Sequence, residues 1–187
     1  MNRMPRLLAL LILFVFGGAA VSTEGLVGFW QFGDCDGKTV RDGSPLGNSG
    51  VLESGELVAE KGTRSFAIDG VDALVAIAEA RPFGITGALT AAAGVRVQSF
   101  RRHALIFGRP HRNSQWTTPM FGMYLYENKV LFGTFNAKGD KALVDTGSEM
   151  PLLTWLHFAA VYDGAKARLY VNGELKGEKE HSGDVGD

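Results

Sequence analysis

A chain of 187 residues fits one domain of sandwich size better than two. Its 25 glycines, spread along the chain, suit a fold of many short strands and tight turns. With 19 basic and 20 acidic residues the formal charge is −1, which argues against a nucleic acid or an anionic membrane recruited by bulk charge, and the single cysteine, Cys35, excludes an internal disulfide.

Residues 1–22 read as a secretory signal. Arg3 and Arg6 lie ahead of an unbroken apolar run over residues 7–16, and small residues follow to Ser22, with cleavage expected after Ala20 or Ser22. The apolar run falls short of the ~20 residues that a spanning helix needs. Export without membrane insertion of the mature chain is therefore the expectation, with a domain over residues 23–187. Losing Arg3 and Arg6 leaves 17 basic against 20 acidic residues, a formal −3. An exported domain without a disulfide relies on its core or on a bound metal. Cys35 then reads as a semi-buried thiol or as a partner for another chain.

Residues 26–32, LVGFWQF, alternate as a first strand and are broken by the turn formers of residues 33–37. Residues 39–42 form a short extended piece, and GSPLGNSG over residues 43–50 is a surface loop. Brief edge pieces are expected at residues 51–52 and 57–58. Residues 65–68 and 73–77 are strands on either side of an Asp69-Gly70 turn. The Ala-rich stretch at residues 88–97 is open to helix or strand by propensity, and its all-β surroundings favour strand. A further strand is expected at residues 104–107, a hairpin joins residues 122–126 to 130–135, and the polar stretch of residues 136–147 is interrupted by Ala142, Leu143 and Val144.

The chain then gives its clearest signal, WLHFAAVYDGAKARLYVNGELKGEKE over residues 155–180. Residues 155–162 are apolar on both alternating faces except at His157, which suits a strand covered on both sides. Asp163-Gly164 opens a turn, and Ala167, Leu169 and Val171 alternate with Arg168, Tyr170 and Asn172. Asn172-Gly173 fits a two-residue type I′ hairpin, which needs φ > 0 at both positions. Glu174, Lys176, Glu178 and Glu180 share one face of a polar third strand. The expected fold class is all-β, two antiparallel sheets packed as a jelly-roll sandwich.

Four segments resemble the laminin-G-like jelly roll of bacterial exported proteins, in the concanavalin A-like lectin/glucanase superfamily. They are LVGFWQF, SFAIDGVDALVAI, ITGALTAAAGVRV and TWLHFAAVYDGAKARLYVNGEL, in the family's order. The resemblance spans residues 26–180. Gly94 stands where the family usually has Trp, and Ala73 where a second acidic residue is common. The family also closes with a strand of "G-x-hydrophobic-D-E-hydrophobic-x-hydrophobic-Y" type, which is not found after Glu180. The expectation is therefore a sandwich lacking its last strand, a fragment of a larger cell-surface protein, or a partner strand supplied from elsewhere.

The superfamily includes glucanases, which need two carboxylates about 5–5.5 Å apart for retention, usually from an E-x-D-x-E run. No such run occurs here. Glu178 and Glu180 share a strand face but alternate with lysines, as on a solvated edge. No G-x-S-x-G is present, so enzymatic activity is not expected, with a degenerate glycoside hydrolase as the alternative. The resemblance places Ca²⁺ at a loop rim, where Asp69 or Asp72 could contribute, and Asx turns explain the same residues without metal. Residues 100–116 cluster basic, planar and aromatic side chains, from which Arg109, His111, Arg112 and Trp116 are the candidate ligand-binding set for an acidic glycan or a carboxylated partner. The resulting expectation is an exported, non-enzymatic binding module for a glycan or an extracellular protein.

Overall fold

The computed structural model describes residues 7–10, 24–60, 62–78, 85, 87–99, 103–110, 119–135 and 140–185. The chain divides into two compact units, residues 1–84 and 85–187. Among the described residues every ladder is antiparallel, and the only helical piece is one 3-10 turn, so the all-β expectation holds.

The first unit contains β1 (Leu7–Leu10), β2 (Thr39–Val40), β3 (Gly50–Ser54), β4 (Glu56–Glu60), β5 (Thr63–Ile68) and β6 (Leu74–Ile77). β5 lies between β4 and β1, and β3 lies between β2 and β6. β1 comes from the apolar run read as the signal, and it pairs Leu7, Leu8 and Ala9 with Ile68, Ala67 and Phe66. The remainder of residues 1–22, including both expected cleavage positions, lies outside the described residues.

LVGFWQF departs from the expected first strand. It contributes a single bridge from Trp30 to Asp42 and then a 3-10 turn over Phe32–Asp34. The cause is local crowding and a strong acceptor. The Trp30 ring folds back over Gly28, where a β-carbon would meet it at 2.1 Å, and the Phe29 N–H donates to Asp42 Oδ1 at 2.8 Å. The same carboxylate accepts the N–H groups of Ser44 and Asn48 and the Ser44 hydroxyl, each at 2.8 Å. One loop, with Ser44 and Asn48 buried, is thereby fixed around one aspartate, at the expense of a sheet ladder. Phe32 ends the segment stacked on Phe66 of β5, with centroids 5.6 Å apart.

The second unit contains β7 (Leu89–Arg96), β8 (His103–Pro110), β9 (Pro119–Tyr126), β10 (Lys129–Phe135), β11 (Lys141–Asp145), β12 (Trp155–Tyr162), β13 (Lys166–Val171) and β14 (Glu174–Glu180). One sheet runs β14-β13-β12-β7 and the other β11-β10-β9-β8. They meet face to face where β10 and β11 pack on β13, and β11 on β14. Met123, Leu125, Val130 and Phe132 from one sheet, and Phe158, Ala160, Ala167 and Leu169 from the other, are fully buried and form the core. The ambiguous Ala-rich stretch is strand β7, paired along its whole length with β12. β12 is not covered on both sides. Its burial alternates, with Phe158, Ala160 and Tyr162 inside and the residues between them half-exposed.

Candidate functional site

Of the basic segment, the described residues contain Arg109, while His111, Arg112 and Trp116 lie outside them. Arg109 sits on β8, the last strand of its sheet, opposite Phe121, with its side chain half-buried. A bulge between Leu105 and Phe107 and another beyond Arg109 interrupt that strand.

Asp69 and Asp72 share the β5–β6 loop of the first unit. Asp69 Oδ1 accepts the N–H groups of Val71 at 2.9 Å and of Asp72 and Ala73 at 3.2 Å. The amide of Val71 leads the bonds that hold its carboxyl below the ordinary value of 3.8, against the opposing effect of burial. The Ser54 hydroxyl donates to the Asp72 carbonyl, which ties the loop to β3. A cation here would draw on Asp69 Oδ2 and the Asp72 carboxylate, short of the six to eight oxygens that Ca²⁺ takes, so ligand or solvent oxygens would have to complete the shell. Asp36 is paired with Arg41 at 3.2 Å. Among the described residues no group of three His, Cys, Asp or Glu side chains is placed to hold a metal.

Glu178 and Glu180 sit in a surface ion network rather than facing each other across a cleft. Lys166 Nζ lies 3.0 Å from Glu178 and 2.9 Å from Glu180, and Arg168 lies 2.6 Å from Asp163 and 3.5 Å from Glu178. The hydrogen bond from Lys166 holds the Glu178 carboxyl below its ordinary range, the opposite of what a general acid needs. Burial pushes the half-buried Cys35 thiol up, so it has little thiolate character.

Reading the chain as separate strands missed a face assembled by register. In the four-stranded sheet, Met123, Leu125, Val130 and Phe132 point into the core, so Tyr124, Tyr126 and Leu131 stand on the opposite side. There Gly108, Gly122 and Gly133 are direct neighbours on three strands, with Leu143 beside Gly133. The next row reads Leu105, Tyr124, Leu131, Asp145, and the one beyond it His103, Tyr126, Lys129. Partial burial pushes the Tyr124 hydroxyl up to about 12. Each strand does alternate in the sequence, but the coincidence of three glycines in one row has no signal there.

A laminin G family model, described as the concanavalin A-like lectin/glucanases superfamily, matches residues 69–187. Among curated proteins no sequence match is found. The chain is similar in structure to the binding domain of Paraclostridial Mosquitocidal Protein 1, with a TM-score of 0.62 and 11% identity over 87% of this chain and 44% of that one. It is also similar to the botulinum neurotoxin serotype G binding domain, with a TM-score of 0.55 and 10% identity over 84% of this chain and 40% of that one. The chain thus spans less than half the length of either solved structure, and at these identities the similarity is one of fold.

Proposed function

The chain belongs to the concanavalin A-like lectin/glucanases superfamily, and on that premise we propose that it is an exported, non-enzymatic binding module for a glycan or an extracellular protein. The observation that carries this reading is its structural similarity to two domains whose names describe them as binding domains. The ion pairing of Glu178 with Lys166 and Arg168, and of Glu180 with Lys166, supports it, because an ion-paired carboxylate is a poor proton donor at neutral pH. Among the described residues no helix is long and apolar enough to cross a membrane. Arg109, with His111, Arg112 and Trp116, offers bidentate and stacking contacts to an acidic ligand. Asp69 and Asp72 offer a Ca²⁺ two carboxylates at a loop rim.

A glycan array and a pull-down against cell-surface extracts, run on the folded chain in Ca²⁺ and in EDTA, test the reading. Capture of a ligand in either condition supports it, and capture in neither overturns it. Hydrolysis of β-glucans that disappears in Glu178→Gln or Glu180→Gln would overturn the non-enzymatic part. N-terminal sequencing of the exported protein should begin at Val21 or Thr23, after cleavage at Ala20 or Ser22. A Ca²⁺-induced rise in melting temperature that vanishes in Asp69→Asn would place the ion at the β5–β6 loop.

A further inference from the structure

The connection from β11 to β12 ends in a bare apolar turn. Residues 151–155 are all exposed, with Leu152 at 46%, Leu153 at 67% and Trp155 at 37%. No charged residue occurs from position 150 to 156. Leu153 takes φ of 59°, in the left-handed region that suits glycine or asparagine and strains a leucine. Its N–H donates to the Val97 carbonyl at 2.7 Å, which pins the turn to the residue after β7. An exposed leucine contributes no core packing to offset that strain, so the conformation points to a use outside the fold.

The turn is also suited to leave water. Pro151 has no N–H, the Met150 N–H donates to the Asn128 carbonyl at 2.9 Å, and the Thr154 hydroxyl donates to the Leu152 carbonyl at 3.2 Å. Polar groups already paired within the protein escape the cost that an apolar medium puts on unpaired ones. At the base of the turn, the Arg96 guanidinium on β7 lies 5.7 Å from the centre of the Trp155 ring. An aromatic ring backed by a cation has the amphipathic order of a lipid interface, with the charge on the water side. We propose that the turn of residues 152–155 docks on a lipid bilayer surface, with Leu152 and Leu153 entering the outermost acyl region and Trp155 and Arg96 at headgroup level. The contact is peripheral and needs no spanning segment. Three side chains on one turn fall far short of the about 800 Å² per side that a protein partner needs. Lipid closes around a small tip and sets no such minimum. The flanking charges, Arg96 and Glu149, are of opposite sign, so the attraction is apolar and a zwitterionic surface suffices.

Such docking goes beyond the glycan or protein reading and needs only that the exported chain meets a membrane. Co-sedimentation of the exported protein with phosphatidylcholine vesicles tests it. Binding is expected, and it should change less than about twofold between about 0.1 M and about 1 M salt, which screens charges and not apolar contact. Leu153→Asn removes the side chain and relaxes the backbone. It should weaken binding by about threefold or more without lowering the melting temperature, a separation that a merely structural role would not give. Leu152→Ser combined with Leu153→Asn should weaken binding by about tenfold or more, and Leu175→Ser, exposed on β14, should not weaken it. Brominated acyl chains should quench tryptophan fluorescence, and Trp155→Phe should remove that quenching. Any leader left on the chain is common to every variant, so their differences read the turn alone. No vesicle binding, or equal binding by the double variant, would overturn the proposal and leave the glycan or protein reading untouched. Binding confined to phosphatidylserine-containing vesicles and abolished by salt would overturn it in favour of charge. Self-association that the double variant loses, with no vesicle binding, would overturn it in favour of contact between copies of the chain.

Discussion

The two sheets of the second unit share one core and turn opposite chemistry outward. The β12–β14 meander carries a lattice of ion pairs, Asp163 with Arg168, Lys166 with Glu178 and Glu180, and Lys176 with Glu174. The β8–β11 sheet carries Tyr124 against Gly122 and Gly133. A face of paired charges is saturated by its own partners and strongly hydrated, so it offers a ligand little. On the aromatic side the tip of the Tyr124 side chain lies close to the backbone at Gly122, and its partly buried hydroxyl has already lost part of its water. The contrast teaches that two sheets sharing one core are free to differ in what they turn outward.

The shared core is where the comparison breaks most completely. Phe132 and Phe158 come from opposite sheets and are both fully buried. Either Phe132→Ala or Phe158→Ala should lower stability by about 3–5 kcal/mol. Urea unfolding followed by far-UV circular dichroism should show one transition moving in both variants, and separate transitions would mean that the sheets unfold independently. Gly122→Val is the next largest. The added atoms meet the Tyr124 hydroxyl and, at 3.2 Å, the Phe107 carbonyl oxygen, at a cost of about 1–3 kcal/mol. Thermal unfolding measures that cost.

Thr134 separates polarity from packing within the aromatic sheet. Its hydroxyl is fully buried on β10 and makes no hydrogen bond. Thr134→Val keeps the shape and removes the orphan group, so a gain of up to about 1 kcal/mol is expected in the same melts. The smallest effect belongs to the ion lattice. Arg168, then the amides of Ala165 and Lys166, lower the Asp163 carboxyl from 3.8 to about 2. A depressed pKa contributes stability that is present above the unfolded value and lost as pH falls through the folded one. The loss should therefore run from about pH 4 down to about pH 2, and Asp163→Asn should flatten the melting-temperature profile over that window. Solvent and salt screen this exposed group, so the slope is shallow.

The turns that the residues announce are present as expected. Asn172 and Gly173 have φ of 50° and 83°, as a type I′ hairpin requires, and Asn172 closes it further by accepting the His157 N–H at 2.9 Å. Gly70 and Gly164 take positive φ after aspartates whose carboxylates cap the following amides. These are legible because each is settled within four residues. LVGFWQF fails as a strand for the complementary reason. Its alternation is real, but Asp42 reaches back 13 residues to the Phe29 N–H, and no local pattern records that competition. The half-exposure of β12 was illegible too, since an apolar residue does not say whether anything covers it. Of the candidate site residues, Arg109, Asp69 and Asp72 can be placed, and the Tyr124 face was found from the ladders.

Alternation and turn residues were enough to determine an antiparallel all-β chain, because strand period and turn geometry act over a few residues, and the superfamily entered through the resemblance of four segments. Which glycines become neighbours, and so which tyrosine reaches over them, was decided by pairing across β8, β9 and β10. Register is a long-range property. A shift of one residue in β9 would send Tyr124 into the core and Met123 to the surface.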